Sequence, residues 1–144
     1  MAMDGNEATA HRWHLEAIQQ GKPELVSEIM TPDVVVHVNG QEFRGTDQAR
    51  ALAQGLKTAF PEARITHHDA FAGGNRVAIR WSTDATHGGD YFGVPASGQP
   101  VHLEGLDWFE MRDGKIAQAW IAFDNLGVMQ QIGAIPRTAG AQSG

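Results

Sequence analysis

Carboxylates and imidazoles are the side chains that move protons near neutral pH, and they gather in one stretch of this chain. Residues 102–124 read HLEGLDWFEMRDGKIAQAWIAFD. Among the apolar and aromatic residues stand Glu104, Asp107, Glu110 and Asp124, with His102 at the start. A carboxylate in an apolar surround has its pKa raised and can then take a proton from a carbon next to a carbonyl. Asp124 is the first candidate, because it closes the apolar run Trp120-Ile121-Ala122-Phe123. His87 and His102 are candidate partners, since an imidazole can protonate a developing alkoxide or hold an enolate oxygen. Each has a plainer alternative. Asp124 precedes a possible helix over residues 125–132, and Asp is a favoured N-cap. His87 could be a loop residue bonded to backbone, and His102 a surface residue at a strand edge.

The element that must position these groups is a long β-hairpin around Asp113-Gly114, the strongest short-range hairpin signal. Its register decides what faces what. A three-residue loop at 112–114 pairs Met111 with Lys115 and sets His102 opposite Asp124. His102, Glu104, Leu106, Trp108, Trp120, Ala122 and Asp124 then share one face. A two-residue turn pairs Arg112 with Lys115 and groups Asp124 with Leu103, Gly105 and Asp107 instead. The first register is favoured, since a longer loop suits the polar Arg112.

Other residues invite chemistry less strongly. Glu104 and Asp107 could form a second carboxylate of a dyad or a buried pair with a cation such as Arg80. Trp13, Tyr91, Phe92, Trp108 and Trp120 could line a pocket for a flat apolar substrate. His37 lies at the end of a strand before the Asn39-Gly40 turn. His11 and His14 are three apart on a helix, and His67-His68-Asp69 is a run on a strand. Adjacent strand residues point to opposite faces, so His67 and His68 cannot share one ion, and no metal site is expected. There is no Gly-x-Ser-x-Gly elbow and no phosphate loop.

The 144 residues suit one domain, and a domain of this size buries roughly 68–70% of its unfolded surface. A net charge of -6 without a basic cluster disfavours nucleic acid. The absence of cysteine excludes disulfides and thiolate chemistry. No run approaches the roughly 18 apolar residues of a membrane span, so a soluble cytoplasmic protein is expected.

In order, residues 1–6 read as a frayed leader. A helix over 7–20 carries Ala10, Trp13, Ala17 and Ile18 at helical spacing. A short helix follows Pro23, then a strand at 34–38 with a short partner at 41–44. A third helix from Thr46 ends at Pro61. Strands are expected at 63–72, 75–87 and through the main hairpin, 100–124. The expectation is one α+β domain over residues 1–133 and a disordered tail over 134–144. A curved antiparallel sheet wrapped around three helices would enclose a pocket at its open end.

The motif string resembles the SnoaL-like polyketide cyclase (ester cyclase) family of the NTF2-like cone fold. The resemblance rests on Gly45, Ala59-Phe60-Pro61, Thr86-His87-x-Gly89, Phe92-Gly-Val-Pro-Ala-x-Gly98, Gly105-Leu-Asp-x-Phe109, Asp113-Gly-Lys-Ile, Trp120-x-x-x-Asp124 and Gln130-Gln-Ile-Gly133. It implies an enzyme without a cofactor that closes a ring in a polyketide by intramolecular aldol condensation, often on a methyl ester. It implies Asp124 as the catalytic acid/base, with His87 and His102 nearest to the family's histidines. Trp13, His37, Phe92, Glu104, Asp107, Trp108 and Trp120 are the expected substrate contacts. A small apolar substrate and a homodimer paired through the exposed sheet face are expected, with neither nucleic acid nor membrane as partner. Two rivals stand beside this reading. One is an epoxide hydrolase or isomerase built on Arg80, Asp107 and Asp124. The other is a non-catalytic ligand-binding or dimeric interaction domain, with Asp124 exposed and capping.

Overall fold

The computed structural model describes residues 5–136. Most of the expected leader and tail, 1–4 and 137–144, lies outside them. Gly5 and Asn6 already belong to the first helix, α1 (Gly5–Arg12), which runs on as a wider π-type helix over Trp13–Gln19. This second half turns Trp13, His14, Ala17 and Ile18 inward. Pro23, whose fixed φ suits a helical start, opens a single 3₁₀ turn that leads into α2 (Val26–Ile29). β1 (Met30–Val38) and β2 (Gln41–Arg44) form a short hairpin on Asn39-Gly40. Then come α3 (Gly45–Ala59), β3 (Arg64–Gly73), β4 (Arg76–Thr86), β5 (Pro100–Arg112), β6 (Lys115–Phe123) and α4 (Asn125–Gln131).

The six strands make one sheet in the order β2-β1-β6-β5-β4-β3. It is an α+β cone, as expected, with one correction: β1 runs parallel to β6, so the sheet is mixed and not wholly antiparallel. The crossover between those two strands is the whole middle of the chain. Parallel neighbours always need such a long connection.

The main hairpin corrects the favoured register. Asp113 (φ 52°) and Gly114 (φ 80°) both take the left-handed conformation of a two-residue turn, and Arg112 pairs with Lys115. The three-residue loop does not form. One residue later the ladder slips: Met111 pairs with Ile116 but Glu110 with Gln118, so Ala117 is an extra, bulged residue. The bulge restores the parity that the shorter turn had removed. Trp108 therefore lies opposite Trp120, and Leu106 opposite Ala122.

The facing groups are thus those of the longer-loop register, but they look away from the helices. Leu106 is 61% exposed and Trp108 43%. The inner face belongs to Leu103, Gly105, Asp107, Phe109 and Met111 of β5 and to Ile116, Ala119, Ile121 and Phe123 of β6. Trp13, Ile29, Met30, Ile79, Phe109 and Ile116 are fully buried between this face and the helices. Burying each such side chain contributes about 1.5–3 kcal/mol. Among the described residues no helix is long and apolar enough to cross a membrane.

Candidate active site

Between the inner sheet face and the helices lies a cavity of about 80 Å³. Its wall is apolar, built from residues such as Leu56, Phe60, Leu103, Ile121 and Phe123. His14 is the one imidazole or carboxylate on that wall. It is buried, and it arrives there because it follows Trp13 on the inward side of the first helix.

Behind His14 stands Asp107, also buried. His14 Nε2 is 2.7 Å from Asp107 Oδ2, yet no well-aligned hydrogen bond reaches that oxygen. The other carboxylate oxygen accepts from Trp81 Nε1–H at 2.8 Å. Trp81 can lie across β5 only because residue 105 is glycine: a Cβ there would overlap the indole ring. The indole edge also packs against the His14 ring, with centroids 5.3 Å apart.

The second nitrogen of His14 is engaged as well. His14 Nδ1 is 2.7 Å from His67 Nε2, His67 Nδ1 contacts His11 Nδ1, and His11 Nε2 is 3.2 Å from Glu7 Oε2. His67 reaches inward from β3 beside a bulge at His68, which leaves His68 to meet Ser82 Oγ at 2.7 Å instead. Burial, then the charge that His14, His11 and His68 would carry, pushes the His67 imidazole down to about 3.

Two more groups mark the cavity wall. Trp13 Nε1–H is buried without a hydrogen-bond partner. Tyr91 donates its hydroxyl to Asn125 Oδ1 at 2.5 Å, and burial pushes it up to about 12.

The residues singled out in the sequence fall into three places. Trp13, Tyr91 and Phe92 line the cavity, and Asp107 touches two of its wall residues from behind. His87 is buried one layer out, its ring against Phe60 and Tyr91. Its Nδ1 accepts from Ser97 N–H at 3.1 Å, and its backbone bonds to Gln99 and Gly98. It therefore pins both ends of the loop that carries Tyr91 and Phe92.

The others lie outside. Asp124 is exposed, and its carboxylate accepts from Gly127 N–H at 2.8 Å, capping α4. The apolar surround expected for Asp124 is thereby corrected to the capping alternative. His102 is exposed on the outer face between Asp84, at 2.8 Å, and Glu104, at 3.4 Å. The Asp84 hydrogen bond, then that to Glu104, raises its pKa. Glu104, Trp108 and Trp120 share that face, and His37 stacks flat on Trp120 at 4.8 Å. Arg80 is exposed as well, so Arg80, Asp107 and Asp124 do not assemble around one water.

The site residues not anticipated are His14, His67, His11 and Trp81. Their signal was present: His14 lies one turn beyond Ala10 on the apolar side of its helix. His11 and His14 on the helix and His67 on β3 come together only in the fold. Among the described residues no group has the geometry of a metal site.

The cone thus holds a polar constellation, His14 with Asp107 and Trp81, at its apolar cavity. The family profile of SnoaL-like polyketide cyclase matches residues 8–132, and the chain belongs to that family. A crystal structure from Jannaschia sp. CCS1, provisionally named a SnoaL-like polyketide cyclase, is similar with a TM-score of 0.84. It is 26% identical, over 94% of this chain and 99% of that one. IdmH of Streptomyces antibioticus, provisionally named a polyketide cyclase, is 28% identical over 89% of this chain and 98% of its own, with a TM-score of 0.74. AclR of Streptomyces galilaeus, provisionally named a hydroxylase, shares the fold at 23% identity and a TM-score of 0.80. That match covers 95% of this chain and 86% of AclR. No curated protein matches.

Proposed function

We propose that this chain is an acid/base enzyme acting on a small apolar carbonyl compound, closing a ring by intramolecular aldol condensation. The observation that carries the reading is the single imidazole on an apolar cavity wall, braced by a buried carboxylate. In this reading His14 turns its Nδ1 from His67 toward the cavity and takes the proton from the carbon next to the substrate carbonyl. Asp107 balances the imidazolium and Trp81 fixes Asp107, the same division of labour as in a carboxylate–histidine pair of a hydrolase. The unpartnered Trp13 Nε1–H is a donor for the enolate oxygen. The enolate carbon then attacks a second carbonyl of the same molecule, a carbon–carbon bond forms, and the new alkoxide takes the proton back from His14. Family membership and the provisional cyclase names of the relatives support this reaction class. Asp124, His87 and His102 have no contact with the substrate in this reading.

The test is proton exchange on a simple ketone. The protein is incubated with 2-tetralone in heavy water, and loss of the α-proton signal is followed by NMR. The wild-type protein accelerates the loss. His14→Gln, which keeps a hydrogen bond to Asp107, lowers it about 10²–10⁴-fold while remaining folded. A wild-type protein that binds small cyclic ketones without accelerating exchange would mark a ligand-binding domain instead.

The outer face supports a homodimer. Phe71, Ala78, Trp108 and Trp120 follow one another across four strands, and Phe71 is 76% exposed. An apolar row of this extent on a sheet face marks an association surface. Trp108→Lys is expected to turn a dimer into a monomer in sedimentation velocity, with ketone exchange unchanged.

A further inference from the structure

The space beside His14 is about 80 Å³, less than a ring-closing reaction needs. Benzene alone occupies a protein cavity of about 150 Å³. A molecule with two carbonyls and chain enough to close a ring is larger than benzene.

A second space lies against the first. It is a groove of about 250 Å³ along α3, and it shares Leu52, Leu56, Tyr91 and Phe92 with the cavity. Those four side chains are the partition between the two. We propose that the groove is a second subsite, which takes the non-reacting tail of an elongated, uncharged substrate whose carbonyl end reaches His14. The inference rests on the reading of the cavity as the reaction site.

The side chains of α3 stand in rows one turn apart. Leu52 and Leu56 form the row that belongs to both spaces, and Ala51 and Gly55 form the next, which lines the groove alone. Gly55 is exposed in the interior of the helix, where glycine costs stability relative to alanine. Among the described residues nothing lies within 4 Å of a Cβ built there, so packing does not demand the glycine. What it keeps is the depth of the groove.

Phe92 is out of place as a turn residue. With Gly93 it forms a two-residue turn, φ 45° and 88°, closed by two Tyr91–Val94 backbone hydrogen bonds of 2.9 Å. Left-handed positions of this kind favour Asn, Asp and Gly, and a phenylalanine there is strained. The turn gains nothing from the ring, whereas the partition does. Tyr91 is tied to Asn125, but Phe92 is 56% exposed, so its ring is the part that can swing aside for a tail. Asp90 is the charged residue on the groove wall, and its carboxylate accepts from Gly93 N–H at 3.0 Å. An anionic tail would meet that charge unfavourably.

The experiment measures the binding of 2-tetralone and its 6-ethyl and 6-butyl derivatives by tryptophan fluorescence, since Trp13 and Trp81 line the cavity. In the wild-type protein Kd falls about two- to fourfold for each methylene added. A 6-(3-carboxypropyl) tail binds more weakly than the butyl tail. Gly55→Leu fills the groove and abolishes the gain from the tail, with Tm unchanged or raised because leucine is the better helix former. Ala51→Leu, in the same row, gives the same loss. Gln54→Leu, exposed on α3 away from the groove, keeps the gain. No gain from the tail in the wild type, a gain retained in folded Gly55→Leu and Ala51→Leu, or equal binding of the carboxylate tail each overturns the subsite. Failure of the acid/base reading has a different signature: His14→Gln exchanges as fast as wild type, while the binding series still judges the groove.

Discussion

The two faces of the β5–β6 hairpin carry the same kinds of residue and treat them differently. On the outer face His102 sits between Asp84 and Glu104, all three open to solvent. On the inner face Asp107 sits against His14 and Trp81, with its carboxylate fully buried. Exposed ion pairs contribute about 0–1 kcal/mol, because water screens them and their long side chains lose entropy. A buried pair carries a large desolvation cost, which is offset only while both partners remain. The contrast shows why composition alone misleads: a histidine beside carboxylates is surface decoration on one side of a strand, and a histidine beside a carboxylate is a buried pair on the other.

Breaking each face should expose the difference. His14→Leu leaves the Asp107 charge buried with Trp81 Nε1–H alone, and is expected to cost about 3–5 kcal/mol in urea unfolding. Glu104→Gln removes a carboxylate of equal charge only three residues away on the other face, and is expected to stay within about 0.5 kcal/mol. Equal losses from the two substitutions would mean that the inner pair is hydrated and that the faces do not differ.

Asp124 sharpens the comparison at a smaller scale, because it ends β6 and leaves the sheet altogether. As an N-cap it satisfies the Gly127 N–H. Asn caps nearly as well as Asp, so Asp124→Asn is expected to keep both stability and ketone exchange. Asp124→Ala loses the cap and about 1 kcal/mol, read by unfolding, again with exchange retained. Loss of exchange in a stable Asp124→Asn protein would return the acid/base role to this residue.

How much of this was legible follows from the physics of each signal. Element order, the helix at Ala10–Ile18 and the place of the Asp113-Gly114 turn rest on local chemistry and were readable, while the two-residue length of that turn and the α4 cap stood only as alternatives. The cone fold followed from that order. The bulge at Ala117 left no trace, since alanine fits either a regular strand or a bulge, yet it decides which hairpin residues share a face. The aromatics compounded this: Trp108 and Trp120 invite placement in the core, but they line the outer face while smaller residues, Gly105 and Ala119, pack within. Trp81 needs the space that Gly105 leaves. The His14–His67 contact joins residues 53 apart in sequence, and no local pattern reports such a pairing.

Acid separates the two faces by sign. His67 on the inner side has its pKa lowered from 6.5 to about 3, by burial first. The unfolded chain therefore binds a proton there that the folded chain refuses between those two values. Stability from this group is fully present above about pH 6.5 and falls as the pH drops toward 3. His102 on the outer side has its pKa raised by Asp84 and Glu104. Its contribution is present below the unfolded value near 6.5 and is lost as the pH rises through the folded value. Because His102 is open to solvent, that alkaline loss is small and vanishes in high salt, whereas the acid loss persists. Urea midpoints across pH 4–8 in low and high salt test this directly. His67→Phe is expected to flatten the acid limb and leave the salt-sensitive part intact. An acid limb unchanged in His67→Phe would place its origin in the carboxylates and detach it from the buried row.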